Sequence, residues 1–179
     1  MKRNTLIIIV LLFTATAFTQ ESGFYSFKVK TLEGDDFDMS ALKGKKVMIV
    51  NTASKCGFTP QYKDLEELYE RYGDKIEIIG FPANNFANQE PGTAEEIRQF
   101  CSSKFGVTFP LMEKISVKGN DIHPLYQWLT MKSKNGVMDS EVKWNFQKYL
   151  VDEKGNLTDV LYSIEKPGSE KVINWLLNK

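Results

Sequence analysis

Two cysteines, Cys56 and Cys101, are the sulfur nucleophiles of this 179-residue chain. A thiolate attacks peroxides and disulfides, and its reactivity is set by its pKa and its access to solvent. Cys56 lies in the run Asn51-Thr52-Ala53-Ser54-Lys55-Cys56-Gly57-Phe58-Thr59-Pro60. A C-x-x-C redox pair would need a second thiol at position 59, but Thr59 stands there. Cys56 is therefore a lone nucleophile with no local resolving partner. Other chemistries find few residues. His123 is the single histidine, so no His-rich metal site can form, and two distant cysteines cannot complete one. As the base of a Ser-His-Asp triad His123 would have to act from just before Pro124, which reads as a surface turn. No glycine-rich phosphate loop occurs, and Asp35-Asp36 and Glu95-Glu96 read as solvated charges.

Cys56 has to be held by the elements on either side of it. Lys46-Val47-Met48-Ile49-Val50 reads as a buried strand, and Gln61 to Tyr72 carries Tyr62, Leu65, Leu68, Tyr69 and Tyr72 at helical spacing. Cys56 is thus placed where a strand gives way to a helix, at the carboxyl edge where open α/β sheets build their sites. Free amides at a helix start favour a thiolate. Ile76 to Phe81 is a second strand, closed by Pro82, so strand, helix and strand make a βαβ unit with parallel strands. The polar loop Ala83 to Gly92 leaves the same sheet edge. Thr93 and Glu96 form a capping-box pattern for a helix through Ile97, Phe100 and Cys101 that weakens at Ser102-Ser103 and stops by Gly106.

The remaining segments are shorter. A hairpin is expected from strands at 24–31 and 37–39, with Ser40 capping a short turn. Gly73 reads as a left-handed cap of the first helix. Residues 107–117 read as irregular, a helix runs from Leu125 to about Met131, and 132–140 is polar loop. Residues 142–151 alternate as a strand, 152–156 turn it, and Leu157 to Tyr162 returns antiparallel. Ser169 begins a closing helix with Val172, Ile173, Trp175, Leu176 and Leu177 inward. The order predicts an α/β thioredoxin-like fold, a central mixed sheet flanked by helices.

Bulk properties suit one globular domain, with 26% charged and 42% hydrophobic residues. The formal net charge of zero gives no electrostatic case for nucleic acid. Lys2 and Arg3 precede the apolar run Leu6 to Phe13, and Ala15-Thr16-Ala17 fits a cleavage site, the order of a secretory signal. Residues 1–20 are read as that signal and 21–179 as a single domain, exported to a periplasm or outside the cell. The apolar run is shorter than the roughly 20 residues that span a bilayer. Without Lys2 and Arg3 the chain has 21 basic and 23 acidic residues, a formal charge of −2. In an oxidising compartment an even cysteine pair is by default a structural disulfide, although a redox pair predicts the same bond.

The run from Asn51 to Thr59 resembles the active-site signature of the glutathione peroxidase family in its cysteine form. Gly80-Phe81-Pro82-Ala83-Asn84-Asn85-Phe86-Ala87-Asn88-Gln89-Glu90-Pro91-Gly92 and Lys143-Trp144-Asn145-Phe146 match it too, in family order. The resemblance covers nearly everything from Phe24 to Lys179. It implies a peroxidase in which Cys56 attacks the peroxide, with Gln89, Trp144 and Asn145 around the sulfur and no cofactor. An amide and an indole N–H are uncharged donors that can hold a thiolate or a leaving oxygen without titrating.

Two family positions differ: Ala83 replaces a cysteine and Asn85 a glutamine, so no resolving thiol exists at 83. Cys101 falls where thioredoxin-dependent members carry their resolving cysteine. It is expected to condense with the sulfenic acid of Cys56, and a thioredoxin-like protein to reduce the disulfide. Glutathione is the other reductant the family name implies, but no arginine cluster is expected near Cys56 to hold its carboxylates, because Arg71 and Arg98 lie on helices. The short stretch from Lys132 to Lys143 resembles monomeric members. Two other readings remain: a non-catalytic thioredoxin-like binding domain stapled by Cys56 and Cys101, and a peroxide-sensing thiol relay.

Overall fold

The computed structural model describes residues 23–178; the proposed signal segment lies outside the described residues. A 3-10 turn at Phe24–Ser26 leads to β1 (Lys28–Lys30), which pairs antiparallel with β2 (Asp36–Asp38). The first strand is therefore shorter than the alternation at 24–31 suggests, because Phe24 turns inward to pack against Trp128. A second 3-10 turn, Met39–Leu42, is capped by the Asp38 carboxylate, which accepts from the Ser40 amide. Ser40 is thus the donor at that cap, and the acceptor lies two residues earlier.

β3 (Lys46–Thr52) is buried along its whole length. Its side chains alternate, with Val47 and Ile49 joining one core and Met48 and Val50 the other. A strand buried on both faces needs helices on both faces. α1 (Gln61–Tyr72) follows, then β4 (Ile76–Pro82), parallel to β3 in register Lys46 to Ile76. Gly73 keeps a right-handed conformation, φ −61°, so α1 does not end in a left-handed cap. α2 (Ala94–Phe105) has the Thr93–Glu96 capping box complete and ends at Gly106, φ 67°.

Residues 107–117 are irregular but not idle. The Gly80 amide donates to the Pro110 carbonyl and the Met112 amide to Gly80, which lays this segment along the free edge of β4. α3 (Pro124–Thr130) is capped by His123, whose Nδ1 accepts from the Leu125 amide. Where a polar loop was expected, the one-turn helix α4 (Lys132–Asn135) forms and closes on Gly136, φ 75°.

β5 is only Lys148–Val151, not the full alternating run from 142. Phe146 has φ 62°, which no strand accommodates. β6 (Leu157–Leu161) pairs antiparallel with β5, and β5 antiparallel with β3. The sheet order is β4-β3-β5-β6. α5 (Glu170–Leu176) closes the chain with Val172 and Leu176 fully buried, while Ile173, Trp175 and Leu177 stay half-exposed. One face of the sheet packs on α1, α2 and α5; the other packs on α3 and the amino-terminal turns.

Two lysines are buried in this frame. Lys46 points its ammonium at the carboxyl end of α5, on the Trp175 carbonyl at 2.5 Å and Asn178 Oδ1 at 2.5 Å. It supplies a cation where the helix dipole favours one. Lys148, fully buried, donates to Gln61 Oε1 at 2.5 Å and to the Glu165 carbonyl at 2.5 Å. It joins the first turn of α1 to the loop before α5.

Candidate active site

Cys56 does not sit on the first turn of α1. It lies in a run of turns between β3 and the helix, five residues before Gln61. The Thr59 hydroxyl holds this bend: it accepts the Cys56 amide at 3.0 Å and donates to the Ala53 carbonyl at 2.8 Å. The Thr59 amide also donates to the Cys56 carbonyl at 3.0 Å. Threonine at 59 thus serves as a clamp where a C-x-x-C motif would have its second sulfur. The Cys56 thiol is nearly buried, 8% exposed, and accepts the Phe58 amide at 3.4 Å.

The loop at 83–92 approaches from β4. Ala87 and Asn88 both have positive φ, 52° and 51°, and this double left-handed bend presents Gln89. Such conformations cost about 1–2 kcal/mol per residue in non-glycine positions and concentrate at functional sites. Asn84 stabilises the bend by accepting the Glu90 amide at 2.9 Å. Asn85 ties the loop to the irregular segment, donating to Ser116 Oγ at 2.8 Å and accepting the Val117 amide at 2.9 Å. Ala83 is fully buried. The Gln89 carbonyl accepts the Lys55 amide at 3.0 Å, so this loop is bonded directly to the residue before Cys56.

The third segment, ahead of β5, is carried by Asn51 at the end of β3. The Asn51 amide group donates to the Trp144 carbonyl at 3.1 Å, and its carbonyl accepts the Phe146 amide at 2.6 Å. The left-handed Phe146 sends its ring into the core, edge-on to Tyr62 at 5.2 Å. Asn145 is thereby fully buried, and its Nδ2 donates to Gln89 Oε1 at 2.9 Å. With its oxygen occupied, Gln89 keeps its N–H donors free. Trp144 is 37% exposed and packs on Phe86 at 5.4 Å.

The structure therefore joins Gln89 to Asn145 directly and links both to the Cys56 turn through backbone bonds at Lys55 and Asn51. Asn51 and Thr59 are site-building residues whose roles are not visible from their types alone. Cys101 is unbonded, 1% exposed, and on the face of α2 that meets α1. Burial pushes its thiol up to about 11, opposed by the neighbouring Tyr62 hydroxyl and reinforced by the charge of Glu90. His123 serves as a helix cap, and burial lowers its pKa. Arg98 is held by Glu95 and Glu33, and Arg71 lies over the Tyr72 ring.

The sequence matches the glutathione peroxidase family profile over residues 24–130. The chain belongs to the glutathione peroxidase family. The glutathione peroxidase-like peroxiredoxin gpx1 of Schizosaccharomyces pombe is 51% identical over 147 residues, 82% of this chain and 92% of that protein. The glutathione peroxidase-like peroxiredoxin HYR1 of Saccharomyces cerevisiae is 51% identical over 150 residues, 83% and 91% of the two chains. The apo crystal structure of Trgpx superposes with a TM-score of 0.67 at 40% identity, covering 87% of this chain and 94% of that one. A thioredoxin-family thiol:disulfide interchange protein of Chlorobium tepidum, at 16% identity and TM-score 0.60, shares the fold alone. The expected thioredoxin-like α/β fold is thus present, and this family member is an oxidoreductase of the peroxidase kind.

Proposed function

We propose that the chain reduces hydroperoxides with Cys56 as the attacking thiolate and Cys101 as the resolving thiol. The observation that carries this is the bond from Asn145 to Gln89 Oε1, which leaves free amide donors on a loop that is itself bonded to Lys55, next to Cys56. The Cys56 thiol gives up its proton, the thiolate attacks one peroxide oxygen, and the O–O bond breaks; the departing hydroxide or alkoxide takes that proton and leaves as water or an alcohol, with Cys56 a sulfenic acid. Gln89, Trp144 and Asn145 are the uncharged donors for the charge that moves between sulfur and oxygen. Cys101 then displaces hydroxide from the sulfenic acid, giving a disulfide.

A thioredoxin-like protein is the reductant in this reading. The arginines support that choice over glutathione: Arg98 is engaged by two glutamates and Arg71 lies on α1 over an aromatic ring. The yeast relatives, named glutathione peroxidase-like peroxiredoxins, support the same choice. The free thiols count against the permanently stapled binding domain. Peroxide consumption by the purified protein, with reduced thioredoxin or glutathione as the sole electron donor, tests the assignment. Turnover with thioredoxin and little with glutathione is expected; the reverse overturns the choice of reductant.

Two further properties belong to the proposal. The basic and apolar start of the chain supports export, which sequencing the amino terminus of the protein recovered from an extracytoplasmic fraction checks. The short segment between α3 and β5 supports a monomer, to be measured by sedimentation.

A further inference from the structure

Three carboxylates are buried among the described residues: Glu66, Glu77 and Glu90. Glu66 accepts from the Thr108 amide and hydroxyl, and Glu77 from Lys45 and the Tyr69 hydroxyl. Glu90 differs. It is 0% exposed, yet neither carboxylate oxygen has a hydrogen-bond partner. Lys114 lies beside it, but that ammonium is turned to the Glu90 and Gly92 carbonyls, at 3.2 and 2.8 Å. A buried carboxylate left without donors is costly and rare. Burial raises its pKa, the direction expected of a carboxylate short of a countercharge.

Glu90 borders a cleft of about 760 Å³, with the Cys56 turn and the Gln89 loop on one side and α2 on the other. Such a volume suits a small ligand. The Lys55 amide donates to the Gln89 carbonyl at 3.0 Å, which brings the residues flanking that bond, Ser54 and Glu90, to the same cleft. Ser54 Oγ is likewise buried and unpartnered. Ile97 and Phe100 of α2 line the cleft with apolar surface. Its other carboxylate, Glu96, is already engaged by the Thr93 amide at 2.8 Å. Lys55 and Lys104 are exposed on it, and the Lys104 ammonium stands 5.3 Å from the centre of the Phe100 ring. The cleft thus offers one unused anion, one unused hydroxyl, an apolar wall and two exposed cations.

We infer that this cleft binds a small molecule with one primary ammonium on an apolar stem, the ammonium seated on the Glu90 carboxylate and the Ser54 hydroxyl. An ammonium has three donors, and the two Glu90 oxygens with Ser54 Oγ supply three acceptors. The stem lies along Ile97 and Phe100. A second positive charge is disfavoured, because it would meet Lys55 or Lys104. The site lies beside the Cys56 turn but does not depend on the roles proposed for either cysteine.

The test titrates the reduced full chain with phenethylamine, an aromatic ring on a short stem ending in an ammonium, and follows backbone amide shifts by NMR. Saturable shifts are expected at Ser54, Lys55 and Glu90 and from Ile97 to Lys104. Phenethyl alcohol, the same body without the charge, should bind roughly 10–100-fold more weakly, and so should phenethylamine in Glu90→Gln. Spermine, a polycation, should bind no more tightly than phenethylamine. If Glu90→Gln does not fold, the comparison of amine with alcohol on the wild type decides. Equal binding of amine and alcohol, wild-type affinity in a folded Glu90→Gln, or shifts that do not saturate or lie outside the cleft would overturn the site. Tighter binding of spermine would overturn the choice of a single ammonium.

Discussion

At the scale of single residues, the account depends on donors that carry no charge. Gln89 can serve Cys56 only through its N–H donors, and Asn145 Nδ2 donates to its oxygen and leaves those donors free. Gln89→Ala and Trp144→Phe should each slow the oxidation of Cys56 by roughly 10–1,000-fold, the scale for losing a donor to a developing charge. Stopped-flow peroxide kinetics measure this, and unchanged rates in both would remove them from the site. Thr59 makes a separate prediction. Thr59→Val leaves the Cys56 amide and the Ala53 carbonyl without their shared partner, which should cost about 1–3 kcal/mol in urea unfolding. Thr59→Ser should recover most of it. The types of Gln89, Trp144 and Asn145 were legible in the sequence through the family blocks. The clamp at Thr59 was not, because a threonine at that position reads only as a missing sulfur until its hydroxyl is seen bridging Ala53 and Cys56.

Among the elements, the βαβ unit, the capping box and the closing helix could be read from periodicity and caps, since each is a local property of its own residues. The 142–151 run could not. It alternates as a strand should, but Asn51 captures the Trp144 carbonyl and the Phe146 amide and forces Phe146 into a left-handed bend. Tertiary bonds override the pattern there, and the bend is what buries Asn145. Lys148, just beyond it, carries a stability prediction. Burial lowers its pKa to about 8, against the opposing charges of Glu165 and Asp64. Between pH 8 and about 10.4 the unfolded chain binds more protons at this group than the folded one, so its contribution to stability rises with pH. Wild type should gain up to about 3 kcal/mol on Lys148→Met across that window. Urea unfolding of both proteins at pH 7.5, 9 and 10 checks it; a constant difference would contradict a buried ammonium. α2 gives another prediction. Only Ile97 and Cys101 of its residues are fully buried, so opening it costs little. Amides from about 98 to 105 should exchange faster in the oxidised protein than in the reduced one.

For the whole molecule, the sheet holds three separate segments at one edge. The Cys56 turn leaves β3, the Gln89 loop leaves β4, and the Trp144–Asn145 segment enters β5. Each is fastened to its neighbour by backbone bonds rather than by side-chain charge, so the site should keep its shape over a wide pH range. The central claim is that Cys56 takes the oxygen and Cys101 resolves it. Its most direct measurement is mass analysis of the reduced chain after one equivalent of peroxide, with dimedone present to trap sulfenic acid. The account predicts a Cys56–Cys101 disulfide in the wild type and a dimedone adduct on Cys56 in Cys101→Ser. It also predicts no oxidised product in Cys56→Ser. A peroxide-treated wild type with Cys56 still reduced, or a Cys56→Ser chain that consumes peroxide at the wild-type rate, would contradict it.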